Sequence, residues 1–252
     1  IGDVTGQYTG DAGQVTQTAY TTNDKTAPSA SVLLALQAQS YLQFSNLTFI
    51  AGTAAYAVGN TASGHDYTFT DCVFNAINAG TTAAINIVGN ATGPTILNTT
   101  LDRCVVLYGG SGNSITFTCP QTSSGSADYD TNVIVRNCFV QSVGTGSGIN
   151  ITGSGALTWK GGGVRIYNTT VMAYTGMSVT STTVSSTVSC VASNCVFING
   201  STGLSAATSG QLTETYNVIY ANTPRTNVTA GTGSISDKSY APLVELGQSY
   251  KW

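Results

Sequence analysis

A short pattern that returns down the chain constrains the fold more than anything else in this sequence. The stretch "FTDCVFNAI" (69–77) comes back altered as "LDRCVVLYG", "VRNCFVQSV", "IYNTTVMAY" and "ASNCVFING". Each copy has a polar residue, a small residue beside it, and an apolar residue two places later. Aligning on the polar residue gives seven units, anchored at Asn46, Asp71, Arg103, Asn137, Asn168, Asn194 and Asn217, with steps of 23 to 34 residues. After each anchor stand Leu47, Cys72, Cys104, Cys138, Thr169, Cys195 and Val218. Two places further come Phe49, Phe74, Val106, Val140, Val171, Phe197 and Tyr220. A period of two belongs to a strand, so both rows are predicted to point inward. Phe44, Phe69, Leu101, Val135, Ile166, Ala192 and Thr215, two before each anchor, form another inward row on a strand that ends at the turn. A third strand in each unit carries Val58, Ile87, Phe117, Ile151, Val179, Ala206 and Val228.

One such unit has no partner for its apolar side, whereas units stacked on one another bury a continuous core. Uneven steps fit a coil in which loop length varies from turn to turn. Repeats such as "RNCFV" and "SNCVF" resemble the right-handed parallel β-helix, the architecture of the pectate-lyase-like superfamily and of many phage tailspikes and secreted surface proteins. The resemblance covers about residues 30–230 and implies the hand. The expected fold is all-β, a single right-handed parallel β-helix of about seven coils of three short strands. Residues 1–30 lead in, 31–230 form the coils and 231–252 form a tail. Ile1 follows neither a Met nor a signal-like segment, so a processed or longer chain is expected. A fold of this kind does not dictate a function.

Within such coils an Asn at the tight turn tolerates the left-handed conformation and can bond to the Asn one rung above. Four of the six cysteines fall in one inward row, so they are read as buried free thiols filling the core rather than as a disulfide framework. Cys119 and Cys190 lie too many rungs apart to bridge. No C-x-x-C is present and His65 is the single histidine, which excludes a zinc site of the usual kind. His65 reads as a surface turn residue. Nucleophile elbow, P-loop and dinucleotide signatures are absent. Only 8% of residues are charged and the net charge is −3, so no nucleic-acid footprint exists. Uncharged spans are interrupted too often by Ser and Thr to form a membrane helix.

Asp71 and Arg103 replace Asn on neighbouring rungs, and Asp102 and Arg136 sit one place earlier. These four are expected to pair as ions along the stack. In pectate lyases an arginine acts as base beside calcium-binding aspartates, so the resemblance implies a catalytic reading of Asp102 and Arg136. The chain departs from that pattern, because no cluster of several Asp with a Lys shares an outer strand. The other acidic candidates are Asp128 and Asp130 in "SGSADYDTN", since glycoside hydrolysis needs two carboxylates across a cleft. This loop and "TGSGALTWKGGG" on the next turn are expected to emerge on one side. That would bring Tyr129, Trp159 and Lys160 beside the two aspartates as a sugar-binding set; the alternative is that Trp159 folds back as an apolar plug. No cofactor is expected. Calcium is the alternative, because Asp128, Asp130 and Asn132 mimic the first ligands of a calcium loop, but Val133 and Phe139 stand where its Gly and Glu belong.

Between the inward residues of the post-anchor strand lies an outward row: Thr48, Val73, Val105, Phe139, Thr170, Val196 and Ile219. Its apolar character calls for cover by residues 1–30 or 230–252, or by a neighbouring domain or subunit through self-association. Among seven Asn-x-Ser/Thr sequons, Asn90 and Asn199 lie in loops and are the glycosylation candidates, whereas Asn46 and Asn168, as ladder residues, are expected to stay unmodified. The reading is a non-enzymatic structural or adhesive module, outside the cell or on a virion, with glycan contact secondary. A polysaccharide lyase or hydrolase and a non-catalytic carbohydrate-binding module are the alternatives.

Overall fold

The computed structural model describes residues 14–16, 32–36, 40–50, 56–59, 65–77, 83–89, 95–119, 129–153, 160–180, 190–198 and 200–237. These form 24 strands and, among the described residues, no helix. The strands make three sheets of nine, eight and seven members, paired in parallel, and each strand lies beside the one laid down a turn earlier. The chain is therefore a parallel β-helix. A middle coil shows the path. Thr95–Asp102 belongs to the seven-stranded sheet, a sharp corner follows at Arg103, Val105–Tyr108 joins the nine-stranded sheet, and Ile115–Cys119 joins the eight-stranded one. At the ends of the nine-stranded sheet, Gln14–Thr16 pairs with Thr48–Ile50, and Ile235–Asp237 with Val218–Tyr220.

Register piles like on like. Phe44, Phe69, Leu101, Val135 and Ile166 stand in one buried column, and Phe49, Phe74, Val106, Val140, Val171 and Phe197 in another. Phe44 stacks on Phe69 at 4.9 Å and Phe49 on Phe74 at 5.2 Å, while rings of the two columns meet edge-on. Each such pair adds about 0.5–1.5 kcal/mol to simple burial. Cys72, Cys104, Cys138 and Cys195 are buried and free, and backbone bonds link their rungs in sequence through Thr169.

The corner is left-handed in every coil. Asn46, Asp71, Arg103, Asn137, Asn168 and Asn194 have φ between 47° and 56°. All six are exposed. Asn168 Nδ2 donates to Asn137 Oδ1 at 3.4 Å, but Asn137 turns its own amide to Asp102 Oδ1 at 3.0 Å, so the ladder mixes Asn with charge.

The seventh unit is shifted by one residue from the expectation. Tyr216, with φ 54°, takes the corner. Asn217 is fully buried, and Ile219 rather than Tyr220 pairs with Phe197. Glu214, not Thr215, follows Ala192 in the inward row. The eight-stranded sheet also differs at its start, because Val58 pairs with Ile85 rather than Ile87. The slip puts Asn217 at the buried position, where its side chain accepts from Cys195 N and donates to Ala192 O.

Five successive rungs show a bond of this kind, whereas Leu47 in the first unit has no side-chain donor. Cys72 Sγ donates to Thr70 O, Cys104 Sγ to Asp102 O, Cys138 Sγ to Arg136 O, Thr169 Oγ1 to Tyr167 O and Cys195 Sγ to Ser193 O, at 2.8–3.4 Å. The carbonyl just before the left-handed residue also accepts the corner amide of the preceding coil, so the side chain adds a second bond to it. From Cys72 to Cys195 the column therefore holds small donors, which core filling alone does not require.

Gly148, Gly176 and Gly203 stack in register as the second residue of three successive strands of the eight-stranded sheet. A methyl at Gly176 would stand 2.7 Å from Phe197 Cδ1, and one at Gly203 would strike Ile219 Cγ2. These glycines leave room for the apolar column of the facing sheet.

Candidate functional site

Three consecutive strands of the seven-stranded sheet, Thr95–Asp102, Tyr129–Arg136 and Lys160–Tyr167, are eight residues long, against four in Tyr67–Thr70 and Cys190–Ser193 on either side. The outer face of this widened region carries two polar ladders. In the first, Arg103 grips Asp71 through both oxygens, Nε to Oδ1 and Nη2 to Oδ2 at 2.8 Å. Its Nη1 reaches Asp102 Oδ2 at 3.0 Å, where Arg136 Nη2 also arrives at 2.9 Å. Hydrogen bonds from Arg103 hold the Asp71 carboxyl below the ordinary aspartate range. Burial pushes the Asp102 carboxyl up, but bonds from Arg136 and Asn137 and the nearness of Arg103 outweigh it and hold it low. Both oxygens of Asp102 are engaged, so the four charges form the compensated stack expected from sequence.

The second ladder went unseen in the sequence. Arg165 donates to Asn132, Asn132 Nδ2 to Asn98 Oδ1 at 3.2 Å, Asn98 to Asp66, and Asp66 pairs with His65 Nδ1. Register explains it: Tyr67 pairs with Thr99 and Asn98 with Asn132, and the next rung places Gly163 opposite Asn132, where Arg165 supplies the missing donor. His65 is half-buried, its ring edge-on to Tyr41 at 5.4 Å, which is tighter than a free surface turn.

Asp130 and Lys160 are register partners on neighbouring strands, and Tyr129 pairs with Thr95. The juxtaposition of the two loops thus holds for these backbone positions. Asp128, Trp159 and the sequon residues Asn90 and Asn199 lie outside the described residues. Half of the eight Lys and Arg residues, Arg103, Arg136, Lys160 and Arg165, fall in this one region. Among the described residues, no group of three or more His, Cys, Asp or Glu is placed to hold a metal ion.

A third cluster closes the last coil. Glu214 is fully buried and accepts from Asn217 Nδ2 at 2.9 Å, Arg225 Nε at 2.8 Å, the Gly231 amide at 2.7 Å and Ser234 Oγ. Arg225 Nη2 also lies 2.7 Å from Oε1, yet off the hydrogen-bond line and without an acceptor of its own. This is a polar plug where earlier coils have Ala or Ile, and it is structural in geometry.

The outer face of the nine-stranded sheet differs from the rest. Thr48, Val73, Val105, Phe139, Thr170, Val196, Val218 and Ile235 are in register along it. Val218 takes the place expected for Ile219, which is buried. The parallel row reads Ile50, Asn75, Leu107, Gln141, Met172, Ile198 and Tyr220. By contrast, the matching row of the eight-stranded sheet reads Asn86, Thr116, Asn150, Ser178 and Ser205.

Comparison of the chain with protein-family models, with curated proteins and with solved structures found no match.

Proposed function

We propose that this chain is a non-catalytic structural or adhesive β-helix module of a surface or fibre assembly, working outside the cell or on a virion. The observation that carries the reading is the engagement of Asp71 and Asp102. Each is bonded to arginine on an adjoining rung, so the conspicuous charges hold the corner ladder together instead of converging on a cleft. The low charge content, 8% of residues, together with abundant Thr, Ser and Asn, suits an extracellular surface. The test is incubation with a panel of neutral and acidic polysaccharides, following new reducing ends and the ultraviolet absorbance of unsaturated uronates. No turnover above a heat-denatured control is expected, and release abolished by Asp102→Asn or Asp130→Asn would overturn the reading.

Glycan contact is the second reading, and one observation favours it: the pairing of Asp130 with Lys160 beside Tyr129 at the edge of the widened sheet. Tyr129, Lys160 and Trp159 would then line a sugar subsite with Asp128 and Asp130 as hydroxyl acceptors. Glycan-array binding lost in Tyr129→Ala and Lys160→Ala supports it, and unchanged binding refutes it.

A further inference from the structure

The thiols of Cys72, Cys104 and Cys138 lie buried on consecutive rungs of one corner column. The Cys104 thiol is hydrogen-bonded to that of Cys72 on one side and to that of Cys138 on the other. We infer that this line of sulfurs binds a soft d10 cation of the copper(I) class, held between two neighbouring thiolates. The site goes beyond the structural reading and fails separately from it, since one is read from metal uptake and the other from glycan turnover.

Coordination number decides the class of ion. A structural zinc site asks for four donors converging on one point, and among the described residues no three metal-ligating groups converge. A two-coordinate ion asks only for two sulfurs that face each other. Metal–thiolate bonds of about 2.3 Å, as for zinc, set such sulfurs about 4.6 Å apart, close to the rung spacing of about 4.8 Å. Exchanging a thiol–thiol hydrogen bond for a sulfur–metal–sulfur bridge therefore opens the pair only to the spacing that the backbone already keeps. Soft thiolate ligands select copper(I) over harder ions.

Binding breaks two S–H bonds and forms two sulfur–copper bonds. Two protons leave, the oxidation state of copper is unchanged, and the bridge carries one negative charge. The column is prepared for that charge. The Cys104 amide donates to Cys138 Sγ at 3.4 Å, and hydrogen bonds from Cys104 hold the Cys138 thiol below its ordinary value. The Arg103 guanidinium, at the adjoining corner, is near enough to the Cys104 thiolate to attract it. Contacts of this kind orient and tune metal ligands. Entry is short, because each of the three cysteines directly follows an exposed corner residue, Asp71, Arg103 or Asn137, and Cys138 keeps 5% exposure. The line of sulfurs stops at Thr169, which separates Cys138 from Cys195, and Cys190 stands between Val164 and Leu212 in another column. The chain thus carries its own controls.

The test is anaerobic titration of the full 252-residue chain with copper(I) against the competing chelator bathocuproine disulfonate. Cys104→Ser removes the central sulfur but keeps a donor for the Asp102 carbonyl, while Cys119→Ser and Cys195→Ser leave the line intact. Uptake of a single ion by the parent and by both controls, lost in Cys104→Ser with unchanged circular dichroism, supports the site. A parent that takes up no copper overturns it. So does uptake that persists in folded Cys104→Ser, or that disappears in Cys119→Ser or Cys195→Ser. X-ray absorption of the loaded parent needs no substitution. Two sulfur neighbours around copper support the bridge, whereas nitrogen or oxygen neighbours, or a third sulfur, overturn it.

Discussion

The amide of Cys195 donates to Oδ1 of Asn217, one coil further on, at 2.8 Å. The same exchange links Cys138 N to Thr169 Oγ1 and Cys104 N to Cys138 Sγ, each at 3.4 Å. A buried backbone donor at the corner is satisfied by whatever side chain occupies the next rung of the column. Thiol, hydroxyl and amide are therefore interchangeable there by function, although they look unrelated in the sequence.

Thr169→Val tests this directly, because it keeps the shape and removes the hydroxyl. The Cys138 amide loses its bond in a buried site, while the Tyr167 carbonyl keeps only the one from the Asn137 amide. The variant should be about 1–3 kcal/mol less stable in chemical denaturation, whereas Thr169→Cys should lie within about 1 kcal/mol of the parent. Equal stability of Val and Cys at this position would refute the column rule.

Asn168 tests the corner. Its φ of 47° is tolerated by Asn and Gly but crowds a Cβ without a compensating amide. Asn168→Ala should cost about 1 kcal/mol and Asn168→Gly close to nothing, read as shifts in melting temperature. Equal losses in both variants would mean that the side-chain bond to Asn137, not the backbone, governs the site.

The fold was largely legible, and the reason lies in particular residues. Phe69, Cys72 and Phe74 declare a strand, a corner and a strand within six residues, and four near-copies with altered lengths between them leave few alternatives to stacking. The seventh unit misled because "TYNV" offers two polar residues, and only bonds from another coil tell which is buried. Glu214 was unreadable for the same reason, since Arg225, Gly231 and Ser234 come from the turn that follows. The second ladder depended on strands long enough to bring Asn98 beside Asn132. A signal for the glycine column did exist, in "SGIN", "TGMS" and "TGLS", at one position of three successive coils.

Gly176→Ala should expose that packing. The added methyl meets Gly203 O at 2.5 Å and the Phe197 ring at 2.7 Å, so sheet and core must both move. Overpacking of this kind costs about 1–3 kcal/mol. Pairing Gly176→Ala with Phe197→Leu should recover part of the loss in a double-mutant cycle. A strictly additive pair would show that Phe197 is not what the glycine accommodates.

The buried thiols set an alkaline limit. Burial pushes the Cys190 thiol up to about 12 and the Cys195 thiol up to about 11, from an ordinary value of 9.0. A thiol whose folded value is raised contributes stability below its unfolded value and loses it as pH climbs toward the folded one. Stability should therefore decline between about pH 9 and 11–12. Native protein at pH 8 should leave Cys190 and Cys195 unalkylated by iodoacetamide, as read by peptide mass spectrometry; rapid labelling without denaturant would contradict their burial.

Glu214 sets the acid limit by the opposite sign. Burial alone would raise its carboxyl, but bonds from Ser234, the Gly231 amide, Asn217 and Arg225 prevail and hold it below the ordinary value of 4.5. A depressed folded value means that the stabilisation is complete above the unfolded value and drains away as pH falls through the folded one. Glu214→Gln keeps the shape but leaves Arg225 without its counter-charge, and breaking a buried pair costs about 3–5 kcal/mol. At pH 7 the variant should melt well below the parent. As pH drops under 4.5 the parent should lose stability while the variant changes less, so the two melting curves converge. A gap that persists unchanged to pH 3 would mean that the Glu214 carboxylate is not what fastens the last coil.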